Sequence, residues 1–221
     1  MAVILNLETA TTNCSVSLGQ EGKLIALREE NYQGYSHSEK LHVFIDEVMQ
    51  EAGITMQDLD AVAVSKGPGS YTGLRIGVAA AKGICFALDI PLIAIPTLDS
   101  LARQLKVQED GFLVPMLDAR RMEVYAKVLD TSYATVRETE AEIIDPGSFS
   151  EFVEKAPVYL LGNGAKKCAA VLEHPNFHFH EDLVPSAKEM IGMSYERYAD
   201  KEFEDLAYFE PYYLKEFILG K

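Results

Sequence analysis

At 221 residues, 48% of them apolar, the chain can fill one large core or two small ones, and it is too apolar for a disordered or fibrous protein. Its 20 basic and 34 acidic residues leave a net charge of −14. That balance argues against a nucleic-acid platform, because affinity for phosphate backbones comes largely from Lys and Arg displacing counterions.

The opening MAVILNLETATT has no basic region ahead of a short apolar run, so it reads as a strand and not as a secretory signal. No stretch approaches the ~20 apolar residues that a membrane span needs. Cys14, Cys85 and Cys168 are odd in number, far apart and set among apolar neighbours. Reduced, buried thiols in a cytoplasmic protein are the expectation, with no metal spacing among them.

Alternation of apolar and polar residues predicts strands at 2–8, 12–19 and 22–30. A helix is expected from Ser36 to Ala52, with Ser36 and Glu39 as a capping box and Gly53 at its stop. Strand 60–65, helix 72–88, strand 92–95 and a helix over 97–106 follow. Strands at 111–118, 123–130 and 135–144 then lead to helix 147–155, strand 158–162 and helix 165–173. The order β-β-β-α-β-α thus occurs twice. An α/β protein of two similar lobes with mixed sheets is predicted, divided where QLKVQEDG turns polar, into an N-terminal lobe 1–105 and a C-terminal lobe 106–221. A last helix over 187–200 and the tail PYYLKEF are expected to pack back on the body. A cleft between lobes is the default ligand site.

Ser65 to Gly77 (SKGPGSYTGLRIG) is the most informative segment, a strand, a shaped turn and a helix start carrying four glycines and a proline. It resembles a phosphate cradle, since the unpaired N–H groups of a helix N-terminus suit an anion. A P-loop needs Lys and then Ser or Thr after its last glycine, but Leu74 and Arg75 follow Gly73. A dinucleotide turn needs an acidic residue closing the next strand, and PLIAIP has none. Pro68 stands where a nucleophile elbow before Ser70 needs glycine.

Helix 72–88 is apolar nearly all round, with Arg75 and Lys82 on one stripe and small residues at Gly73, Gly77, Ala80 and Ala81. Helix 36–52 puts Leu41, Phe44, Ile45, Val48 and Met49 on one broad face. Two readings stand: the helices cover their own sheet, or they also meet helices of a partner. The expected partner interface is Leu41, Phe44, Ile45, Val48, Arg75, Gly77, Val78, Ala80, Ala81 and Lys82. His37 and His42 lie ~140° apart on a helix and cannot share a metal as an i, i+4 pair could. His178 and His180 share a strand face with nothing nearby to complete a site beyond Glu181, and all the histidines are expected on the solvated surface. Asp118 closes an apolar strand beside Arg120 and Arg121, where a local ion pair is expected.

LNLETATTNCSVSL at 5–18, GPGSYTGLRIGVAAAKGICFAL at 67–88 and LDARRMEVY at 117–125, joined by HSEKL and PYYLKEF, resemble the TsaB (YeaZ) family over nearly the whole chain. That resemblance implies a duplicated actin-like, Hsp70-like ATPase fold. It also implies a non-catalytic partner of a TsaD-type enzyme, with no cofactor of its own, in a complex that attaches threonylcarbamoyl to adenosine 37 of tRNA. A TsaE-type ATPase would be a further partner, the isolated chain would form a homodimer, and tRNA would be met only through the complex. The paralogue's metal-binding HxxxH positions fall here at Thr97 and Leu101, which are not metal ligands. Its Gly-rich phosphate turn is replaced by Asp118-Ala119-Arg120. Glu8, Asp118, Gly162 and Gly164 are the expected remnants of a cleft. The alternative is an actin-like nucleotide-binding enzyme or a glycoprotease-like peptidase.

Overall fold

The computed structural model describes residues 1–32 and 37–215. Its chain divides into two units, the first formed by 1–100 with 185–212 and the second by 101–184 with 213–215.

The first unit opens with β1 (Val3–Glu8), β2 (Asn13–Gln20) and β3 (Lys23–Asn31), an antiparallel meander in which Leu5 pairs with Leu18 and Leu7 with Val16. Helix α1 (His37–Ala52) then crosses over, and the expected cap residue Ser36 lies outside the described residues. Strand β4 (Ala61–Gly67) returns parallel to β1, α2 (Tyr71–Leu88) crosses again, and β5 (Leu92–Pro96) lies parallel to β4. The sheet order is β3-β2-β1-β4-β5. Parallel neighbours require crossovers of this length, and the helices supply them.

One sheet face presents Leu5, Leu7, Val16, Leu18, Val62 and Val64 to Leu41, Ile45 and Val48 of α1 and Val78, Ala81 and Cys85 of α2. Each large apolar side chain so removed from water contributes about 1.5–3 kcal/mol. The hydroxyl of Ser70 accepts from Gly73 N at 3.3 Å to start α2, and Asp89 ends it in a left-handed conformation with Pro91 just beyond.

Short α3 (Thr97–Ala102) ends where the first unit gives way to the second. The second unit repeats the plan with β6 (Phe112–Asp118), β7 (Glu123–Asp130), β8 (Thr135–Ile143), α4 (Ser150–Val153), β9 (Val158–Leu161), α5 (Ala165–Cys168) and β10 (Phe177–His180). Its order, β10-β9-β6-β7-β8, is that of the first sheet read from the other edge. The expected helices over 147–155 and 165–173 shrink to four residues each. Pro157 ends the first because its ring excludes helix, and the second must turn back to deliver Phe177 beside Val158, though Leu172 still joins the core. Strand β10 adds one element to the sequence reading, although FHFH alternates as a strand should.

After β10 the chain returns to the first unit as α6 (Ala187–Ala199). Ala187, Met190 and Met193 cover the other face of the first sheet at Ile4, Ala61, Ala63, Ile93 and Ile95. Ser17 donates to Ala187 O at 2.7 Å, and Ser15 accepts from Ala187 N at 3.0 Å. The expected 106–221 lobe therefore loses 185–212 to the first unit, because the alternate face of β1, β4 and β5 is as apolar as the one under α1 and α2.

Candidate functional site

The glycine segment meets the loop that follows β1. Glu8 ends β1 fully buried, and its Oε1 accepts from Ala10 N at 2.6 Å and Ser65 Oγ at 2.9 Å. The Thr9 hydroxyl donates to Gly73 O at 2.8 Å, and Ser70 N donates to Ala10 O at 2.7 Å. A Cβ on Gly73 would stand 2.1 Å from Thr9 O, and one on Gly77 2.3 Å from Thr9 Oγ1. These two glycines exist for that approach. At the start of α2, Gly73 N donates to the Ser70 hydroxyl, Leu74 N to Ser70 O, and Ser70 N to Ala10 O, so three of its donors are taken by the chain itself, one of them by the loop after β1.

Burial pushes the Glu8 carboxyl up to about 7, outweighing the bonds from Ala10, Ser65 and Thr9 that favour its charged form. Its Oε2 finds no partner among the described residues, and neither does Oδ1 of Asn6, two positions back along β1. His37, expected on the surface, is buried with Nε2 2.7 Å from Thr11 O, and burial lowers its pKa. The loop is thus fastened to the starts of both α1 and α2.

The expected partner interface divides once the fold is seen. Leu41, Phe44, Ile45, Val48, Gly77, Val78 and Ala81 are buried, and the apolar ones among them pack in the unit's own core. Arg75 is exposed over the Tyr71 ring, Ala80 is half-buried, and Lys82 donates to the carbonyls of Ala207 and Phe209, both at 3.2 Å. The outward arc of α2 carries Thr72, Ala79, Gly83, Phe86 and Ala87, with Phe86 82% exposed and no atom within 4 Å of a Cβ built on Gly83. Tyr208, 84% exposed, lies between Ala207 and Phe209, whose carbonyls accept from Lys82 of α2. A helical wheel shows both arcs as apolar and does not say which the sheet takes. Two large apolar residues, Ile76 and Phe86, lie on the wheel away from Leu74, Val78, Ala81 and Cys85, and of these Ile76 is half-buried against the core while Phe86 is exposed. The helix has the length and apolarity of a short membrane span, but that inner arc is committed to its own sheet.

Thr97 is buried and its hydroxyl accepts from Gly67 N at 3.1 Å, which fixes the strand end before the glycine turn. In the second unit Leu101 is fully buried, and Asp118 departs from the expected pairing with Arg120 and Arg121. Its carboxylate meets Lys167 Nζ at 2.7 Å and takes only the backbone N–H of Arg120, at 2.6 Å. Gly162 and Gly164 bring the turn after β9 against the backbone of Met116, where a Cβ would come within 2.6 and 3.1 Å. His178 stacks on Tyr159 at 4.9 Å, and Cys14, Cys85 and Cys168 are free and buried. Burial raises the three thiols to about 11, 11 and 12, so they are inert at neutral pH.

Two five-stranded mixed sheets with the same strand order, each with crossover helices on one face, define an α/β protein of the duplicated actin-like class. The family model of TsaD, tRNA N6-adenosine threonylcarbamoyltransferase, matches residues 32–208. The tRNA threonylcarbamoyladenosine biosynthesis protein TsaB of Buchnera aphidicola is 31% identical over 86% of this chain and 91% of its own length. The protein of the same name from Haemophilus influenzae is 27% identical over 99% and 95%. A Pseudomonas aeruginosa crystal structure, described as an uncharacterized protein with similarity to peptidase YeaZ, superposes with a TM-score of 0.86 at 25% identity, covering 97% of this chain and all of that one. The chain belongs to the TsaB (YeaZ) family of tRNA threonylcarbamoyladenosine biosynthesis proteins.

Proposed function

We propose that the chain is the non-catalytic scaffold and dimerisation subunit of a tRNA N6-adenosine(37) threonylcarbamoyltransferase complex. It binds and stabilises a TsaD-type catalytic paralogue through α2 and helps to recruit a TsaE-type ATPase, and alone it forms a homodimer through the same helix. The observation that carries this reading is the outward arc of α2, where small residues at Thr72, Ala79, Gly83 and Ala87 would let another helix approach closely while Phe86 offers it an apolar anchor. The glycine turn supports the same reading, since Thr9 and Ala10 pack against Gly69, Gly73 and Gly77 and Ala10 O takes the N–H of Ser70. The names of the TsaB relatives supply the pathway.

Reconstitution of tRNA threonylcarbamoylation with and without this chain tests the role. Modification should require the chain together with a TsaD-type enzyme, and the chain alone should neither modify tRNA nor bind Mg-ATP with micromolar affinity. Full modification in its absence, or tight ATP binding by the isolated chain, would contradict the proposal and favour a nucleotide-binding enzyme.

A further inference from the structure

Two cationic doublets lie far apart in the sequence, Arg120-Arg121 in the β6–β7 turn and Lys166-Lys167 on α5, and the second unit brings them together. Lys167 Nζ donates to Arg121 O at 2.9 Å, to Glu123 O and to the Asp118 carboxylate at 2.7 Å. The Asn163 side chain accepts from Asp118 N at 2.9 Å and closes the same turn. Glu123 is paired with Lys215. Lys167 and Lys215 thus pair with the Asp118 and Glu123 carboxylates at the Arg120-Arg121 turn, and Lys166 is the neighbour of Lys167 on α5. The side chains of Arg120, Arg121 and Lys166 are exposed and have no partner among the described residues.

Neighbouring cations such as Arg120 and Arg121 repel one another, and no hydrogen bond or ion pair among the described residues uses the side chains of Arg120, Arg121 or Lys166. The turn also holds both arginines in left-handed conformations, φ 73° and 51°, where a side chain is unfavourable. Its bonds use Asp118, Asn163 and Lys167, so smaller residues would serve the turn equally well. The arginine heads are presented outward on a clamped base, an arrangement that matches phosphate oxygens.

We propose that this corner, Arg120, Arg121 and Lys166, contacts backbone phosphates of tRNA. The inference rests on the reading that the chain works in a tRNA-modifying complex, and it goes beyond that reading by adding one direct RNA contact to a subunit expected to meet tRNA only indirectly. RNA is favoured over an acidic protein because the relatives of this chain are named for tRNA modification and because paired guanidinium groups match phosphate oxygens.

The test uses the complex of this chain with its TsaD-type partner and a fluorescently labelled, unmodified tRNA transcript, titrated between 50 and 200 mM salt. Arg120→Ala/Arg121→Ala should weaken binding by about 3–10-fold at low salt and flatten the plot of log affinity against log salt by about 1–2. Arg120→Lys/Arg121→Lys should restore most of the slope, and Lys166→Glu should add to the loss, all with the thermal midpoint unchanged. Unchanged affinity and slope in an intact complex would overturn the site. So would a polyglutamate peptide that binds as tightly as the tRNA and is lost in the same variant, which would assign the corner to an acidic protein. Failure of the complex to form would count against the proposed function, and the same titration on the chain alone would then decide the site.

Discussion

The two units share a strand order and differ in what they lay over it. In the first, the crossovers are α1 and α2, 16 and 18 residues long; in the second, the corresponding α4 and α5 have four each. Four residues make one turn, enough to return the chain to a parallel strand and to bury Phe152 or Cys168. The eighteen residues of α2 bury an inner arc from Gly73 to Cys85 and leave an outward arc that carries Phe86. The repeat shows that a crossover in this fold can be made with one turn, and the longer helices of the first unit are the ones to which the proposal assigns a partner.

Packing of the first loop should give the largest difference in stability. Gly73→Ala places a Cβ against Thr9 O, a backbone atom with no rotamer to escape into, and should cost about 3 kcal/mol. Gly164→Ala, with its contacts at 3.1 Å or more, should cost about 1 kcal/mol, and chemical denaturation read separately for each unit checks the order. Equal losses would mean that the glycine helix has no special tie to the loop after β1.

Glu8 distinguishes the units by pH. Its folded pKa of about 7 lies above the ordinary 4.5, so between these values the folded protein keeps a proton that the unfolded chain releases. The stabilisation from this group is complete below 4.5, falls as pH rises to 7, and stays lost above, a change on the order of 3 kcal/mol. Glu8→Gln should abolish that slope for the first unit and leave the second unit unaffected. A smaller effect should follow Lys167→Met, which removes the clamp on the β6–β7 turn and should cost about 1–2 kcal/mol in the second unit. No change in its denaturation midpoint would show that the turn holds without the clamp.

The repeat was legible in the sequence because period-two alternation such as that in CSVSLG, and the recurring order of strands and helices, survive any detail of packing. Helix lengths in the second unit were not, since Ala165 to Leu172 has helical composition and only the need to reach β10 stops it. The destination of α6 was hidden for a related reason: its apolar face suits either sheet, and Ser186 and Ala187 find their partners, Ser15 and Ser17, some 170 positions earlier. The interface reading named residues on both α1 and α2, and most of them lie on the inner arcs that the first unit's own core takes up. Small and apolar residues surround α2 on all sides, and burial alone distinguishes Ala81, fully enclosed, from Ala79, exposed. A charge at Ala81 would break the core and report nothing about a partner.

The most direct measurement is therefore co-purification of the chain with a TsaD-type paralogue after substitution on the outer arc alone. Phe86→Asp with Gly83→Arg should leave the thermal midpoint of the isolated chain within a few degrees of the parent, while the complex, and the homodimer seen by light scattering, are lost. A folded double variant that still binds the paralogue with parental affinity would contradict the claim that α2 is the partner surface.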